Sequence, residues 1–315
     1  DINPLGACES YGTSWSLDRE YTTKLLGFSK TWEIPQDAIS SRGFVQLGYL
    51  TGMTEICLIA SKLAQDLLLF DTFEYGMIGL GDEVAQRMHP ITGSSVMAQK
   101  KNPDVLELIR STAPQVTGYA NIVANILDSL PMGYNRDSRE VKEYIDLGLT
   151  KTKAMIKTLE KVLKTIKIDK KKMQNAVEGN YSLTTDLADF ISQKSGIGYR
   201  LIYKIIGQVV DEAINNGKLL KQIGADEIIS KALMNNVKLK LTNEEIKKAI
   251  DPQLVIEKRN HIGGSSTSSM KKSLENAQNA IKDVNQSVNK KSLVFSEAKK
   301  KADLIVNNLI KKYGP

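Results

Sequence analysis

The sequence predicts an all-α fold, an elongated bundle of long helices with a smaller C-terminal helical domain. Apolar residues recur at helical spacing over three long stretches, near residues 35–71, 103–130 and 137–164. From residue 168 onward the helical patterns shorten and are separated by glycines. Strand-like alternation is confined to a short piece near residues 75–80. Long helices joined by loops are typical of helical bundles.

The pattern divides the chain into three parts. Residues 1–166 form part of a central bundle domain and include a polar loop at 93–104. Residues 167–264 form the small domain, with helices predicted at 169–178, 183–194, 199–215, 225–236 and 242–249. Residues 265–315 form a C-terminal helix that returns to the bundle. Its apolar residues hold a 4-3-4-3-4 spacing, which predicts a coiled-coil-like seam whose partner includes another subunit.

The first long helix is predicted from two start signals. Residues 1–16 are rich in Gly, Ser, Pro and Thr and predict a loop, and Asp18 begins a first short helix. Pro35 and Asp37 mark the next start, from which we predict an unbroken helix to about Asp71. Its apolar and small residues lie nearly all round, which predicts burial among other helices.

Two further helix starts carry capping signals. Asn102 is predicted as the N-cap of a helix over 103–130. Asp137, with Glu140 three residues later, predicts a capping box at the start of a helix over 137–164.

The net charge of +7 is concentrated near the C-terminus. Residues 271–315 hold ten Lys and four acidic residues, which gives +6. A nucleic-acid-binding tail is one interpretation, but Phe295 and Tyr313 are its only aromatic residues. We favour a solvated helix face and expect no nucleic-acid partner.

The composition also bears on compartment and metal binding. The chain has no uncharged run of membrane-spanning length and no signal-peptide pattern, so we expect no membrane partner. Cys8 and Cys57 predict reduced thiols in a cytoplasmic protein. With only His89 and His261, we expect no metal site.

The loop at 93–104 concentrates polar groups before a helix. Ser94 and Ser95 supply hydroxyls, Lys100 and Lys101 supply ammonium groups, and Asn102 supplies an amide. A helix N-terminus favours anions. From spacing alone, a solvated loop with a helix cap is the alternative interpretation.

This loop resembles the signature loop of the fumarase/aspartase superfamily, Gly-Ser-Ser-x-Met-x-x-Lys-x-Asn-Pro. The stretch Gln99-Lys100-Lys101-Asn102-Pro103-Asp104 is similar to the argininosuccinate lyase branch. The resemblance implies a fumarase/aspartase-type bundle and elimination of argininosuccinate to arginine and fumarate, in arginine biosynthesis. It also implies no cofactor, and a homotetramer whose active sites are shared between subunits.

The resemblance assigns roles to individual residues. Ser94 matches the catalytic serine, Lys100 the lysine that stabilises the carbanion, and Glu107 the acid that pairs with the catalytic histidine. Six residues match substrate-binding positions: Arg42, Ser95, Asn102, Tyr134, Arg139 and Lys142.

The sequence also departs from the family pattern. Arg139 stands where a glutamine is usual, and Ala98 replaces the usual proline. The family's His-Thr-x motif matches a region upstream of Asp1, and the resemblance corresponds to the latter two-thirds of a family member. We therefore expect a processed or partial chain that is inactive alone. Another superfamily lyase, such as adenylosuccinate lyase, aspartase or fumarase, is an alternative, as is a non-catalytic structural relative of the lens-crystallin kind.

Overall fold

The computed structural model describes residues 1–86, 93–94 and 96–314. These residues form twelve α-helices and four strands of two residues each, which confirms the predicted all-α class. The chain divides into two compact units. Unit 1 contains residues 1–168 and 284–315, and unit 2 contains residues 169–283.

Three long helices form the centre of unit 1. The helices of this unit are α1 Arg19–Leu25, α2 Pro35–Ser40, α3 Phe44–Asp71, α4 Asp104–Leu127, α5 Val141–Thr165 and the later part of α12 Thr267–Tyr313. Two small ladders accompany them: β1 Ile2–Asn3 runs parallel to β2 Lys30–Thr31, and β3 Ile78–Gly79 runs antiparallel to β4 Lys167–Ile168.

Helices α3 and α4 pack antiparallel, and α5 closes the bundle. Ser61 of α3 donates a hydrogen bond to the carbonyl of Arg110 in the first half of α4. Buried residues of the three helices meet in one cluster, Leu50, Val123, Leu127 and Val141. At Gly148 a Cβ atom would lie 2.6 Å from Leu50 Cδ2, so a larger residue would force the buried Leu50 side chain to shift where α5 approaches α3.

The predicted unbroken helix over 35–71 is wrong, because the chain breaks between α2 and α3. Gly43 has φ +90°, a left-handed conformation that cannot continue a helix. A Cβ atom at Gly43 would lie 2.6 Å from Leu127 Cδ2. The packing of α4 therefore fixes a tight turn that the local apolar pattern does not reveal.

Both predicted caps of the later helices are also wrong, whereas Asp18 does cap α1 by accepting a hydrogen bond from the Tyr21 N–H. The N-cap position of α4 is Pro103, and the Asn102 amide instead bonds the Gly93 carbonyl. A 3-10 turn over Arg136–Arg139 precedes α5, whose N-cap Glu140 makes no side-chain cap. At the start of α4, the contact of Asn102 with Gly93 competes with capping, and at the start of α5 the 3-10 turn does so.

Unit 2 consists of short helices around one apolar core. They are α6 Lys170–Glu178, α7 Thr184–Ser195, α8 Tyr199–Asn215, α9 Ala225–Met234, α10 Asn243–Ala249 and α11 Pro252–Lys258, followed by the start of α12. The first five confirm the predicted helices to within two residues, and α11 was not predicted. Arg259 donates two hydrogen bonds to the Asp186 carboxylate, at 2.9 and 3.1 Å.

Two helices carry apolar residues that the described part of this chain leaves uncovered. On α3, the rest of the single chain does not supply the predicted burial on all sides, because Val45, Tyr49 and Ile59 are 59–70% exposed. On α12, helical as predicted, six seam residues are exposed: Met270, Leu274, Ala277, Ile281, Val284 and Val288. Neither helix, nor any other in the described ranges, has the length and apolar character to cross a membrane.

Candidate active site

The backbone of the signature loop (residues 93–104) folds around the hydroxyl of Ser94. Its Oγ accepts hydrogen bonds from the N–H groups of Val96, at 3.2 Å, and Met97, at 2.9 Å. The N–H of Lys100 in turn donates to the Met97 carbonyl. The chain therefore turns back after Ser94 and brings Lys100 into the same short loop.

Two side chains fasten the end of the loop that leads into α4. Asn102 Nδ2 donates to the Gly93 carbonyl at 3.2 Å and so joins the two ends of the loop. Lys101 Nζ donates to the Leu80 carbonyl and to Asp82 Oδ1, the latter at 3.1 Å. The Asn102 contact therefore closes the loop, and the Lys101 contacts link it to residues 19 and 21 positions away in sequence.

Two carboxylates surround the Lys101 ammonium. The hydrogen bond from Lys101, reinforced by Lys167, holds the pKa of Asp82 below its usual value. Partial burial raises the pKa of Asp71, while the charge of Lys101 and the N–H of Leu80 oppose that rise. Sequence reasoning missed Asp71, Asp82 and Lys167. The hydrogen bonds of Asp82 with Lys101 and Lys167 span 19 and 85 residues and leave no local pattern.

Lys100 lies beside an open groove of about 1020 Å³. The groove is also lined by Asp71, Asp82, Met97 and Lys167. Among the residues that the structure describes, Lys100 forms no ion pair, whereas Lys101 and Lys167 both pair with Asp82.

Glu107 lies in the first turn of α4 and is exposed. It lines a separate groove of about 440 Å³ together with Gln65, Lys101 and Arg110. Within the described ranges no ion pair holds its carboxylate. The Glu107 carboxylate can therefore pair with a group that is not among the described residues of this chain.

A second group of predicted site residues lies at the start of α3. The guanidinium carbon of Arg42 lies 5.0 Å from the centre of the Tyr134 ring, a cation–π contact. Ser40 Oγ accepts a hydrogen bond from the Gly133 N–H at 2.7 Å, which fixes the segment that carries Tyr134. Arg139 and Lys142 follow on the adjoining turn and the first turn of α5, and both are exposed.

The two groups lie at opposite ends of α3 within one chain. Arg42 precedes its first residue, whereas Lys101 is held beside Asp71, its last. A helix of 28 residues spans about 40 Å. One chain therefore does not bring Ser94 and Lys100 to Arg42.

Two residues singled out in the sequence, Ser95 and His89, lie outside the described residues. In the remaining part of the chain, no three His, Cys, Asp or Glu side chains cluster in a way that could hold a metal ion.

Comparison with known proteins finds similarity to lyases in both units. Residues 2–118 match the family model described as "Lyase", and residues 181–257 match the model of the argininosuccinate lyase C-terminal region. The chain is 34% identical over 278 residues to the argininosuccinate lyase of Methanocaldococcus jannaschii, covering 87% of this chain and 54% of that protein. It is 32% identical over 281 residues to that of Lactococcus lactis subsp. cremoris, covering 89% and 58%.

Solved structures of lyases also superimpose on this chain. An EDDS lyase in complex with formate superimposes with a TM-score of 0.77 at 28% identity, covering 98% of this chain and 61% of that one. A fumarate lyase:delta crystallin from Brucella melitensis, with a TM-score of 0.53 at 19% identity, shares the fold. The chain spans a little more than half the length of the argininosuccinate lyases it matches. The two family models and the relatives at 32–34% identity together support an argininosuccinate lyase of the fumarase/aspartase superfamily.

Proposed function

We propose that the protein cleaves argininosuccinate to arginine and fumarate, a carbon–nitrogen elimination that serves arginine biosynthesis in the cytoplasm. The observation that carries this proposal is the signature loop, in which Ser94 accepts two backbone N–H groups close to Lys100. The chain that carries this loop is 32–34% identical to argininosuccinate lyases over most of its length.

The loop suits a reaction that develops negative charge. A serine hydroxyl exchanges a proton effectively only where its anion is stabilised, and two N–H donors on Oγ supply that stabilisation. We assign Ser94 the proton transfer at the carbon next to a substrate carboxylate. Lys100, whose ammonium has no carboxylate partner among the described residues, stabilises the dianionic intermediate.

The remaining polar residues divide between substrate binding and support. We assign Arg42, Tyr134, Arg139 and Lys142, a group with three positive charges, to the substrate carboxylates. Ser95 and Asn102 are proposed substrate contacts within the loop, although Asn102 also closes it. Glu107 is proposed to pair with a histidine and raise its basicity.

A complete site needs more than one copy of the chain. Because Arg42 and Lys100 lie at opposite ends of α3, they can act on one substrate only if different copies supply them. The exposed apolar residues of α3 and α12 are surfaces on which copies could pack. We propose a homotetramer with active sites shared between subunits.

A second substrate candidate comes from the EDDS lyase, a structural neighbour at 28% identity. A variant of that enzyme has been solved with bound fumarate. Adenylosuccinate lyase activity and a non-catalytic structural role are two further candidate functions. Offering argininosuccinate, EDDS and adenylosuccinate to the same preparation distinguishes the three lyase activities from one another and from a protein that turns over none of them.

The test is fumarate release by the protein as isolated from its source cells. We expect turnover with argininosuccinate, and a loss of about 10³-fold in kcat in the Ser94→Ala variant. The control is Ser111→Ala, an exposed serine of α4 that bonds only its own helix. Turnover confined to another substrate would reject the substrate assignment, and full activity of Ser94→Ala would reject the role of Ser94.

A further inference from the structure

The ammonium of Lys101 sits at the junction of four chain segments. It donates to the Leu80 carbonyl and to Asp82, which follow β3. Asp82 also accepts from Lys167 of β4, at 3.4 Å. Asp71, the last residue of α3, accepts the N–H of Leu80 and faces the charge of Lys101. The Lys101 side chain therefore fastens the signature loop to the segment after β3, and Asp82 in turn links that segment to Lys167 of β4.

Lys101 lies between two residues of the signature loop, Lys100 and Asn102, whose positions it restricts. Lys100 precedes Lys101 directly, so fixing the side chain of Lys101 restricts the backbone that presents Lys100. On the other side, Asn102 holds Gly93, the residue before Ser94. A loop with both ends fastened loses less conformational freedom when it meets a substrate, which is the physical content of preorganisation.

The charges around Lys101 have a second effect. Three lysines line the same groove, and mutual repulsion would favour other arrangements of the loop. Asp82 pairs with both Lys101 and Lys167, so its carboxylate offsets their charges. Lys100 then presents its own positive charge to the groove, while the charges of the two neighbouring lysines are offset by Asp82. The side chain of Lys101 is 23% exposed and that of Asp82 is 72% exposed, so solvent reaches this ion pair mainly from the side of the carboxylate.

We infer that Lys101 is a positioning residue: held by the Leu80 carbonyl and Asp82, it fixes the signature loop so that Ser94 and Lys100 keep their relative arrangement. This inference rests on the proposed lyase function for its effect on turnover. The effect of Lys101 on the conformation of the loop does not depend on that function.

The first test is amide hydrogen exchange of the 315-residue chain, read on the peptide that spans residues 93–102. In Lys101→Met, which keeps the aliphatic stem and removes the ammonium, we expect at least tenfold faster exchange of this peptide and unchanged exchange in α3 and α4. Lys101→Arg retains donors for both acceptors and should restore most of the protection. The matched control is Lys161→Met, because Lys161 forms an exposed pair with Glu83, the neighbour of Asp82.

The second test is turnover of the same variants in the protein as isolated. We expect Lys101→Met to lower kcat by 10- to 100-fold with less than a threefold change in KM, and Lys101→Arg to recover at least a third of kcat. Loop exchange unchanged in Lys101→Met, or faster exchange throughout α3 and α4 as well, would overturn the positioning role. If the unaltered protein releases no fumarate from argininosuccinate, the proposed function fails and the exchange experiment still decides the role of Lys101.

Discussion

Arg42 and Tyr134 lie in contact across the start of the bundle, with the guanidinium carbon 5.0 Å from the ring centre. They are 92 residues apart in sequence, and α3 separates them by about 40 Å from the loop that carries Ser94. The residues that resemble one active site thus lie in two separate groups in each chain. This separation is the main structural argument for sites completed by a second copy.

Removing the charge of Arg42 should weaken substrate binding. Arg42→Met keeps an aliphatic side chain against Tyr134 but removes the charge-assisted hydrogen bonds proposed for a substrate carboxylate. Such bonds contribute about 1.5–3 kcal/mol, so we expect KM to rise by about 10- to 150-fold. Steady-state kinetics with argininosuccinate measure the effect. An unchanged KM would show that Arg42 does not contact the substrate.

Mixing two inactive variants should restore activity if sites are shared. Ser94→Ala and Lys142→Met each damage a different half-site, so a mixed assembly contains some sites with both halves intact. We expect fumarate release after the two proteins are dissociated and reassociated together, and none when each is treated alone. A mixture that stays inactive, although mass spectrometry detects mixed assemblies, would contradict shared sites.

The turn before α3 should tolerate no side chain. Gly43→Ala places a Cβ atom at φ +90° and 2.6 Å from Leu127 Cδ2, so we expect a loss of ~2 kcal/mol or more in the free energy of unfolding. The control is Gly48→Ala in α3, where a Cβ atom would meet nothing within 4 Å and helix propensity improves. Urea unfolding followed by tryptophan fluorescence reports on unit 1, which contains Trp15 and Trp32. Equal stability of the two variants would refute the tight-turn argument.

The exposed seam of α12 should support assembly. Leu274→Glu and Ile281→Glu place charges on residues that are about 60% exposed in the single chain, and we expect both to lower the mass of the assembly. Lys272→Glu, on the opposite side of the helix, is the control and should leave the mass unchanged. Light scattering after size-exclusion chromatography measures the mass. An unchanged mass in the seam variants would exclude α12 from the interface.

Acid should weaken unit 2 through Glu245. Lys194 and the N–H of Thr242 donate hydrogen bonds to this carboxylate and hold its pKa below the usual 4.5. A carboxyl group whose pKa is lowered by folding contributes stability above its unfolded pKa, and that contribution is lost as the pH falls through the lower folded value. We expect hydrogen exchange in α10 to be slower in the parent than in Glu245→Gln at pH 7. The difference should shrink toward pH 3, and a constant difference would contradict the assignment.

The sequence by itself determined the helical class, the positions of most helices and the membership suggested by the loop at 93–104. These features depend on local periodicity, glycine positions and a contiguous motif. Four short helices of unit 2, α6 to α9, follow this rule, since each of them ends at a glycine or asparagine that the sequence displays.

Tertiary structure alone decided the break at Gly43, the partner of Asn102 and the surroundings of Lys101. Each depends on atoms brought together from distant parts of the chain: Leu127 against Gly43, the Gly93 carbonyl against Asn102, and Leu80 with Asp82 against Lys101. Local capping preferences are worth about 1 kcal/mol, so a single long-range contact of similar strength can override them. For the same reason only the folded bundle separated Arg42 from Ser94, because the direction and length of α3 set that distance.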